Sequence, residues 1–396
     1  MIYRRFGRTE IRLPVLTCGG MRCQHKWQDV PLGDIPADNQ GNLEATLRRA
    51  MESGINHFET ARGYGSSERQ FGPVLSGLPR DEIIVQTKIQ PLADPRKFLA
   101  DFHDSLSRLQ LPYVDLLGIH GINDHETLWW AIRPGGCLAA ARELVAEGKV
   151  RHVGFSTHAS LDVIQSAIAH ERDGGFDYVN LHWYYIFQQN WPAIEAATRA
   201  DMGVFIISPS DKGGMLYKPP QKLVELCQPL DPLVFNALFC LAHPQIHTLS
   251  IGAARPGDFD LPLAALPLLD RADELLPPIE QRLHEALIDA VGADVANCYA
   301  EGLLGWQDNP GYMNIRVMLW LRILVRAYDM LEYGKMRYNL LGNGGHWFPG
   351  LNAAHLDELD LEKALAGSPF KAQIAHWLRE THAMLYEAPK TRLSQS

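Results

Sequence analysis

The chain has 396 residues, a formal net charge of −9 and a hydrophobic fraction of 46%. It is acidic and has no basic run of the kind that neutralises a phosphate backbone, so the composition argues against nucleic acid as a partner. The length exceeds one ordinary domain and fits a barrel of roughly 250 residues with an additional segment.

The sequence shows no signal for export, membrane insertion or a disulfide framework. The N-terminal segment MIYRRFGRTEIRLP has no apolar stretch followed by a small-residue cleavage site. The most apolar helical candidate, residues 315–331, contains three arginines, whereas a membrane span needs about 20 apolar residues. The six cysteines form no CxxC pair. We therefore expect a cytoplasmic protein that makes no membrane contact.

Short apolar segments alternate with helical patterns along the first two thirds of the chain. The alternation predicts parallel strands covered by helices on both sides, closed into a (β/α)8 TIM barrel. A doubly wound sheet is the alternative, but no GxGxxG follows the first strand. The eight predicted strands are RLPVLTC (12–18), INHFE (55–59), IIVQTK (83–88), VDLLGI (114–119), VRHVGF (150–155), YVNLHW (178–183), GVFIIS (203–208) and HTLSIG (247–252).

The pattern changes from about residue 275. The segment LLPPIEQRLHEALIDAVG opens with a proline pair and continues helically, and the segments after it carry no strand signal. We predict a barrel domain over residues 1–274 and a mainly helical extension over residues 275–396.

Four ionisable side chains stand at or just after consecutive strand ends: Glu59, Tyr64, Lys88 and His120. In a barrel these strand ends form one rim. A phenol has a pKa near 10 and is a poor acid at neutral pH. A nearby ammonium lowers that pKa, and a carboxylate keeps the ammonium charged. A histidine can orient a substrate oxygen. These residue types together form a proton donor for a carbonyl reduction.

The segments FETARGYGSSE, VQTK and DLLGIHG, in this order, resemble the aldo-keto reductase superfamily over roughly residues 1–270. The resemblance implies an enzyme that reduces aldehydes and ketones on a TIM barrel. It implies Tyr64 as general acid, Lys88 as the modulator of its pKa, Glu59 as the carboxylate partner and His120 as the substrate-orienting residue. The family pattern has Asp at the position of Glu59, so here the carboxylate reaches Lys88 through one more methylene.

The resemblance also implies a nicotinamide cofactor. Thr157 stands where the family has an Asn, and Arg255 is the charge best suited to a 2′-phosphate. We therefore expect NADPH rather than NADH. The implied cofactor contacts on the later strand ends are Ser156, Thr157, Asn180, Ser208, Lys212, Gly252 and Arg255.

The residues give no indication of a metal site. The remaining histidines lack metal-ligand spacing with a carboxylate or thiolate. The chain most resembles a family branch whose C-terminal ferredoxin-like segment carries cysteine clusters, yet residues 275–396 hold only Cys298. Because an Fe4S4 cluster ordinarily takes four thiolates, we predict no iron-sulfur cluster. The extension would then cover the barrel mouth or make a subunit contact.

Two functions stay open at this point. The first is an NADPH-dependent reductase of a small carbonyl compound. The second is an NADP(H)-binding regulatory or scaffold protein with little turnover, whose helical extension binds a partner. Glu59, Thr157 and Ile207, which stands where a stacking Tyr is often found, motivate the second. The proton-donor set favours the enzyme, because a sensor needs no acid.

Overall fold

A short antiparallel hairpin precedes a closed parallel barrel in this computed structural model, which describes residues 1–342 and 348–387. The hairpin strands are β1 (Tyr3–Arg5) and β2 (Arg12–Pro14). The barrel confirms the predicted fold class, since its eight strands pair in chain order and the last pairs with the first. The barrel strands are β3 (Leu16–Gly19), β4 (His57–Glu59), β5 (Ile84–Ile89), β6 (Val114–His120), β7 (Val150–Ser156), β8 (Tyr178–Leu181), β9 (Gly203–Ile206) and β10 (Thr248–Ile251).

Helices connect the strands and continue to the end of the described chain. They are α1 (Ala37–Glu52), α2 (Ser67–Leu75), α3 (Pro95–Leu109), α4 (His125–Ile132), α5 (Cys137–Ala146), α6 (Leu161–Ile168), α7 (Trp191–Arg199), α8 (Gln221–Cys227), α9 (Pro232–Ala242), α10 (Asp260–Ala264), α11 (Ala272–Val291), α12 (Ala293–Cys298), α13 (Ile315–Tyr328), α14 (Leu331–Tyr338), α15 (Glu362–Leu365) and α16 (Lys371–Leu385).

The hairpin packs against one end of the barrel interior. Phe6 follows β1 and is fully buried, with its ring centroid 5.5 Å from that of Tyr178 on β8. The sequence pattern predicted residues 12–18 as one strand, but the structure divides them between β2 and β3. Pro14 ends β2, since a proline has no N–H with which to continue a ladder.

The barrel register brings the candidate site residues to the other end. Gly19 pairs with Glu59, and His120 pairs with Ser156, which in turn pairs with Asn180. Side chains alternate between the two faces of a strand, so residues in register on successive strands share one level of the barrel. The register therefore sets strand-end residues from β4 to β8 side by side.

The chain divides into two compact units. The first comprises Met1–Gly213 and Asn236–Ala272 and contains the barrel, and the second comprises Gly214–Phe235 and the chain from Asp273 onwards. The domain boundary at residue 274 stays a proposal, and the sequence pattern had assigned residues 214–235 to the barrel.

The second unit is helical where the structure describes it. Arg322 and Arg326 on α13 both form ion pairs with Glu380 on α16, at 2.8 Å each. Tyr338 on α14 contacts His382 on α16, with 2.6 Å between the phenol oxygen and Nδ1. In the described part of the chain no single helix could cross a bilayer, although the bent pair formed by α8 and α9 meets the criterion of length and composition.

Candidate active site

A buried ion pair lies at the rim of the barrel between β4 and β5. The side chains of Lys88 and Glu59 are only 2% and 4% exposed, and Nζ of Lys88 contacts Oε1 of Glu59. The same ammonium donates a hydrogen bond to the carbonyl oxygen of Thr60, at 2.8 Å. Burial lowers the pKa of Lys88 well below its usual value. The carboxylate and the carbonyl are therefore the groups that stabilise the charge of a desolvated ammonium.

Tyr64 and His120 stand beside this pair. Nζ of Lys88 is 4.7 Å from the centroid of the Tyr64 ring, and the rings of Tyr64 and His120 meet edge to face with centroids 5.6 Å apart. The structure thus brings together all four residues that the sequence singled out. Both rings are partly exposed, as a group that meets a substrate must be.

Although part of each ring is exposed, burial desolvates the titrating groups, so the pKa of each side chain departs from its ordinary value. Burial raises the pKa of Tyr64, whereas the sequence argument expected the ammonium of Lys88 to lower it. Burial and the charges of Lys88 and Lys212 lower the pKa of His120 to about 3. At neutral pH the phenol is therefore protonated and the imidazole neutral. His120 Nδ1 has no hydrogen-bond partner among the described residues, so it can bond a substrate oxygen.

Trp27 is a neighbour of Tyr64 that the sequence did not reveal. It lies in the loop between β3 and α1, with its ring centroid 6.2 Å from that of Tyr64. The backbone of the two loops is joined where Ser66 N–H donates to Lys26 O at 3.0 Å. Gly65 permits this approach, because it has a φ of +53° and a Cβ there would lie 1.9 Å from Lys26 O. The only signal in the sequence was an aromatic residue soon after the first barrel strand.

The next three predicted residues differ in how their polar atoms are used. The hydroxyl of Thr157 already has two hydrogen-bond partners in the backbone: it donates to Ile122 O at 2.7 Å and accepts from Ala159 N at 3.0 Å. The Ser156 hydroxyl accepts from Gly121 N at 3.1 Å. Asn180 is fully buried, and neither polar atom of its amide has a partner among the described residues. A buried donor and acceptor without partners fit an amide ligand.

Ser208 and Lys212 belong to the segment that follows β9. Ser208 has a φ of +53°, the left-handed region that is uncommon for a residue with a Cβ. The turn is closed where Lys212 N–H donates to Ser208 O at 3.0 Å. The Lys212 ammonium lies 3.5 Å from Nε2 of His182.

His182 takes part in a chain of hydrogen bonds that the sequence did not predict. His158 Nδ1 is 2.5 Å from His182 Nε2, and His182 Nδ1 contacts the phenol of Tyr184. That phenol donates to Ile207 O at 2.5 Å. His182 and Tyr184 lie just after β8 in a cluster of aromatic residues, a pattern that is as often core packing as a functional site.

Two arginines mark the end of β10. Arg255 is 78% exposed and pairs with Asp258 at 3.2 Å. Arg22, which no sequence pattern singled out, donates to Gly252 O at 3.0 Å. A Cβ at Gly252 would lie 3.2 Å from Arg22 Cδ, so the glycine leaves room for the arginine stem. Among the described residues no group of three His, Cys, Asp or Glu side chains could hold a metal ion.

Comparison with known proteins places these residues in context. The model of the Aldo/keto reductase family matches residues 15–222, just over half of the chain. L-glyceraldehyde 3-phosphate reductase of Escherichia coli (strain K12) is 31% identical over 175 residues, 40% of this chain and 46% of that protein. L-galactose dehydrogenase of Arabidopsis thaliana is 33% identical over 165 residues, 39% of this chain and 50% of that protein. The chain thus spans about half the length of these curated relatives.

Solved structures share the barrel. A holo-form aldo-keto reductase from Bacillus halodurans superposes with a TM-score of 0.59 at 20% identity, over 71% of this chain and 96% of that one. The sequence comparisons also include an NADH-specific methylglyoxal reductase of Escherichia coli (strain K12), which is 27% identical over 177 residues, 34% of this chain and 52% of that protein.

Proposed function

The chain belongs to the aldo/keto reductase family, whose members are nicotinamide-dependent oxidoreductases of small carbonyl compounds, and we propose that this protein reduces an aldehyde or ketone with NADPH. The observation that carries the proposal is the contact between the buried Lys88–Glu59 pair and the ring of Tyr64, beside a neutral His120. A binding protein would have no use for a buried ammonium held against a phenol.

When bound, the cofactor supplies a hydride to the carbonyl carbon. The protein's own part is to deliver a proton to the oxygen as negative charge grows there. Tyr64 gives that proton, and the Lys88 ammonium stabilises the phenolate that forms. Glu59 keeps the ammonium charged in its buried position, and His120 hydrogen-bonds the carbonyl oxygen and orients it.

Residues on the later strand ends would hold the cofactor. The unpartnered amide of Asn180 fits the nicotinamide carboxamide, because each can donate to the other and accept from it. Ser156 is its neighbour in register. The hydroxyl of Thr157 is already bonded to backbone, so in this proposal it shapes the loop beside the cofactor rather than contacting the carboxamide.

The choice of NADPH rests on charge. Arg255 and Arg22 bring two guanidinium groups to the end of β10, and a guanidinium matches the geometry of a phosphate. A relative is named as NADH-specific, so the cofactor must be tested directly. The second function, an NADP(H)-binding sensor, is favoured by the raised pKa of Tyr64, since burial weakens it as an acid.

One experiment separates the two functions. NADPH and NADH binding would be measured by cofactor fluorescence on wild type, Arg255→Ala and Tyr64→Phe, and aldehydes and ketones would then be added to the same samples. We expect tight NADPH binding by wild type and Tyr64→Phe, with carbonyl-dependent oxidation lost in Tyr64→Phe alone. Tight binding without oxidation by wild type would support the sensor, and no binding would remove the cofactor assignment.

A further inference from the structure

Gly19, the last residue of β3, lies between Glu59 and Ser250. On one side β3 pairs with β4, where Gly19 is in register with Glu59, and on the other side it pairs with β10. A Cβ built on Gly19 would lie 2.7 Å from Oγ of Ser250 and 3.2 Å from Oε2 of Glu59. The space beside Gly19 is therefore where the hydroxyl and the carboxylate approach each other.

The backbone does not explain this glycine. The φ of Gly19 is not in the positive range, so a residue with a side chain could adopt the same conformation. Glycine also has a cost at this position, because it adds entropy to the unfolded chain and has no side chain to pack. Close approach of neighbouring groups is the remaining reason for glycine in a strand.

The two oxygens of Glu59 have separate partners. Oε1 contacts the ammonium of Lys88, and Oε2 accepts a hydrogen bond from Oγ of Ser250 at 3.4 Å. The carboxylate is thus held from two sides of the barrel, by β5 and by β10. Gly118 leaves space for the Lys88 side chain in the same way, since a Cβ on Gly118 would lie 2.9 Å from Lys88 Cγ.

We infer that Ser250 and Gly19 are positioning residues, which hold Oε2 of Glu59 on the β10 side so that Oε1 faces Lys88. This inference rests on the proposed function for its catalytic meaning. A hydrogen bond to a carboxylate stabilises its charged form. Loss of that bond weakens the support that Glu59 gives to the ammonium, so Lys88 loses its proton at a lower pH.

The other titratable groups that face Lys88 keep a constant charge near neutral pH. His57 and His120 both experience the charge of Lys88, and burial lowers the pKa of each to about 3. Burial raises the pKa of Tyr64 and that of Tyr178, whose phenol lies near the Lys88 stem at Gly118. Lys212 is a second lysine whose charge acts on His120, so a change in the alkaline titration of the site is assigned to Lys88 by its loss in Lys88→Met.

The test removes the Ser250 hydroxyl. In Ser250→Ala we expect kcat to fall about fivefold, KM to stay unchanged, and the alkaline limb of kcat to move about half a pH unit lower. Ser250→Thr, which keeps a hydroxyl, should restore both. Thr248→Val is the matched control: it removes a buried hydroxyl from the same strand that bonds Thr17 and not Glu59.

Titration of Lys88 itself separates this inference from the proposed function. The protein would be labelled with ¹³C-lysine, and the Lys88 signal identified by its loss in Lys88→Met. We expect its pKa to be lower in Ser250→Ala than in wild type, and unchanged in Thr248→Val. This outcome without any carbonyl reduction by wild type would contradict the proposed function and leave the positioning role intact. An equal Lys88 titration in Ser250→Ala and wild type would overturn the inference.

A second pair of variants tests the part of Gly19. Gly19→Ala should lower kcat about tenfold or more, since about 1 Å of displacement in such a site costs up to about 100-fold. Adding Ser250→Ala should recover part of the loss, because the added methyl group then no longer meets the hydroxyl. Gly41→Ala, where a Cβ has open space, controls for a general effect of replacing glycine. If the loss of kcat in the double variant equalled the product of the two single losses, Gly19 and Ser250 would act independently. That result would contradict a shared action through Glu59.

Discussion

The two halves of the barrel rim hold their candidate functional groups differently. At the ends of β4 to β6, Glu59, Lys88 and His120 are strand residues, and they contact one another or Tyr64. At the ends of β7 to β10, most of the predicted cofactor residues lie in the segments after the strands. There Thr157 bonds to loop backbone. The first half is organised by its own side chains, and the second half depends on loops.

This difference suggests that the first half carries out proton transfer and the second half binds the cofactor. Proton transfer needs groups fixed to within a fraction of an ångström, and strand residues packed against each other supply that precision. Cofactor binding tolerates more movement, and in the proposed function it uses longer side chains near the surface, Arg22 and Arg255. Substitutions in the first half should therefore change the chemical step, and those in the second half should change affinity.

Removing the ammonium from the first half gives the largest expected effect. Lys88→Met should lower kcat about 1,000-fold and leave cofactor affinity within about twofold. It should also destabilise the fold by about 3–5 kcal/mol, because Glu59 is left buried without its partner. Steady-state kinetics and urea unfolding measure the two effects.

Two further variants make the interpretation of Lys88→Met specific. Adding Glu59→Gln should recover much of the lost stability but none of the activity, since the unpaired charge is then gone. Lys97→Met, an exposed lysine on α3, should change neither quantity. If Lys88→Met kept more than a tenth of the wild-type kcat, the side chains at the ends of β4 to β6 would not control the chemical step, which would contradict the comparison.

Asn180 and Thr157 test whether the second half acts on affinity. Asn180→Leu should weaken NADPH binding about 10- to 100-fold and leave stability unchanged or raised, because it replaces a buried amide without partners by an apolar group. Thr157→Val should do the reverse: a loss of about 1 kcal/mol in stability with affinity retained. Cofactor fluorescence and urea unfolding would show this, and equal affinity in wild type and Asn180→Leu would contradict the nicotinamide assignment.

His57, a buried histidine on β4, predicts that the stability of the fold decreases in acid. Burial, followed by the charge of Lys88, lowers the pKa of His57 to about 3. The unfolded chain binds this proton below about pH 6.5, and the folded chain does not until about pH 3. Stability should therefore fall as the pH drops from 6.5 towards 3, by up to about 1.4 kcal/mol per pH unit.

Urea unfolding at several pH values checks the contribution of His57. His57→Gln should have a shallower loss of stability below pH 6.5 than wild type, whereas His125→Gln, which replaces an exposed histidine, should not. Identical pH dependence of stability in wild type and His57→Gln would show that His57 does not carry the effect.

Arg255 is expected to give the smallest effect, because it is largely exposed and solvent screens its charge. Arg255→Ala should weaken NADPH binding about three- to tenfold and leave NADH binding unchanged. Arg96→Ala, another exposed arginine beside an aspartate, is the control. An equal loss for both cofactors would argue against a contact with the 2′-phosphate.

The same contrast explains what could be predicted from the sequence. Strand periodicity gave the barrel strands and the positions of Glu59, Lys88 and His120 at their ends, because side-chain direction along a strand follows from position alone. The split between β2 and β3 at Pro14 was not predicted, since it depends on pairing with β1. Trp27 and Arg22 were missed because loop conformation decides what they touch. The raised pKa of Tyr64 was missed because desolvation is a property of the packed site.

Hydride transfer coupled to Tyr64 is the central claim, and isotope transfer tests it most directly. NADPH carrying deuterium at both C4 positions would be incubated with a carbonyl substrate found by the oxidation assay, and the alcohol analysed by mass spectrometry for wild type and Tyr64→Phe. We predict one deuterium per alcohol molecule from wild type, and less than about 1% of that rate from Tyr64→Phe with NADPH still bound. Equal deuterium transfer by Tyr64→Phe, or none by wild type with NADPH bound, would contradict the account.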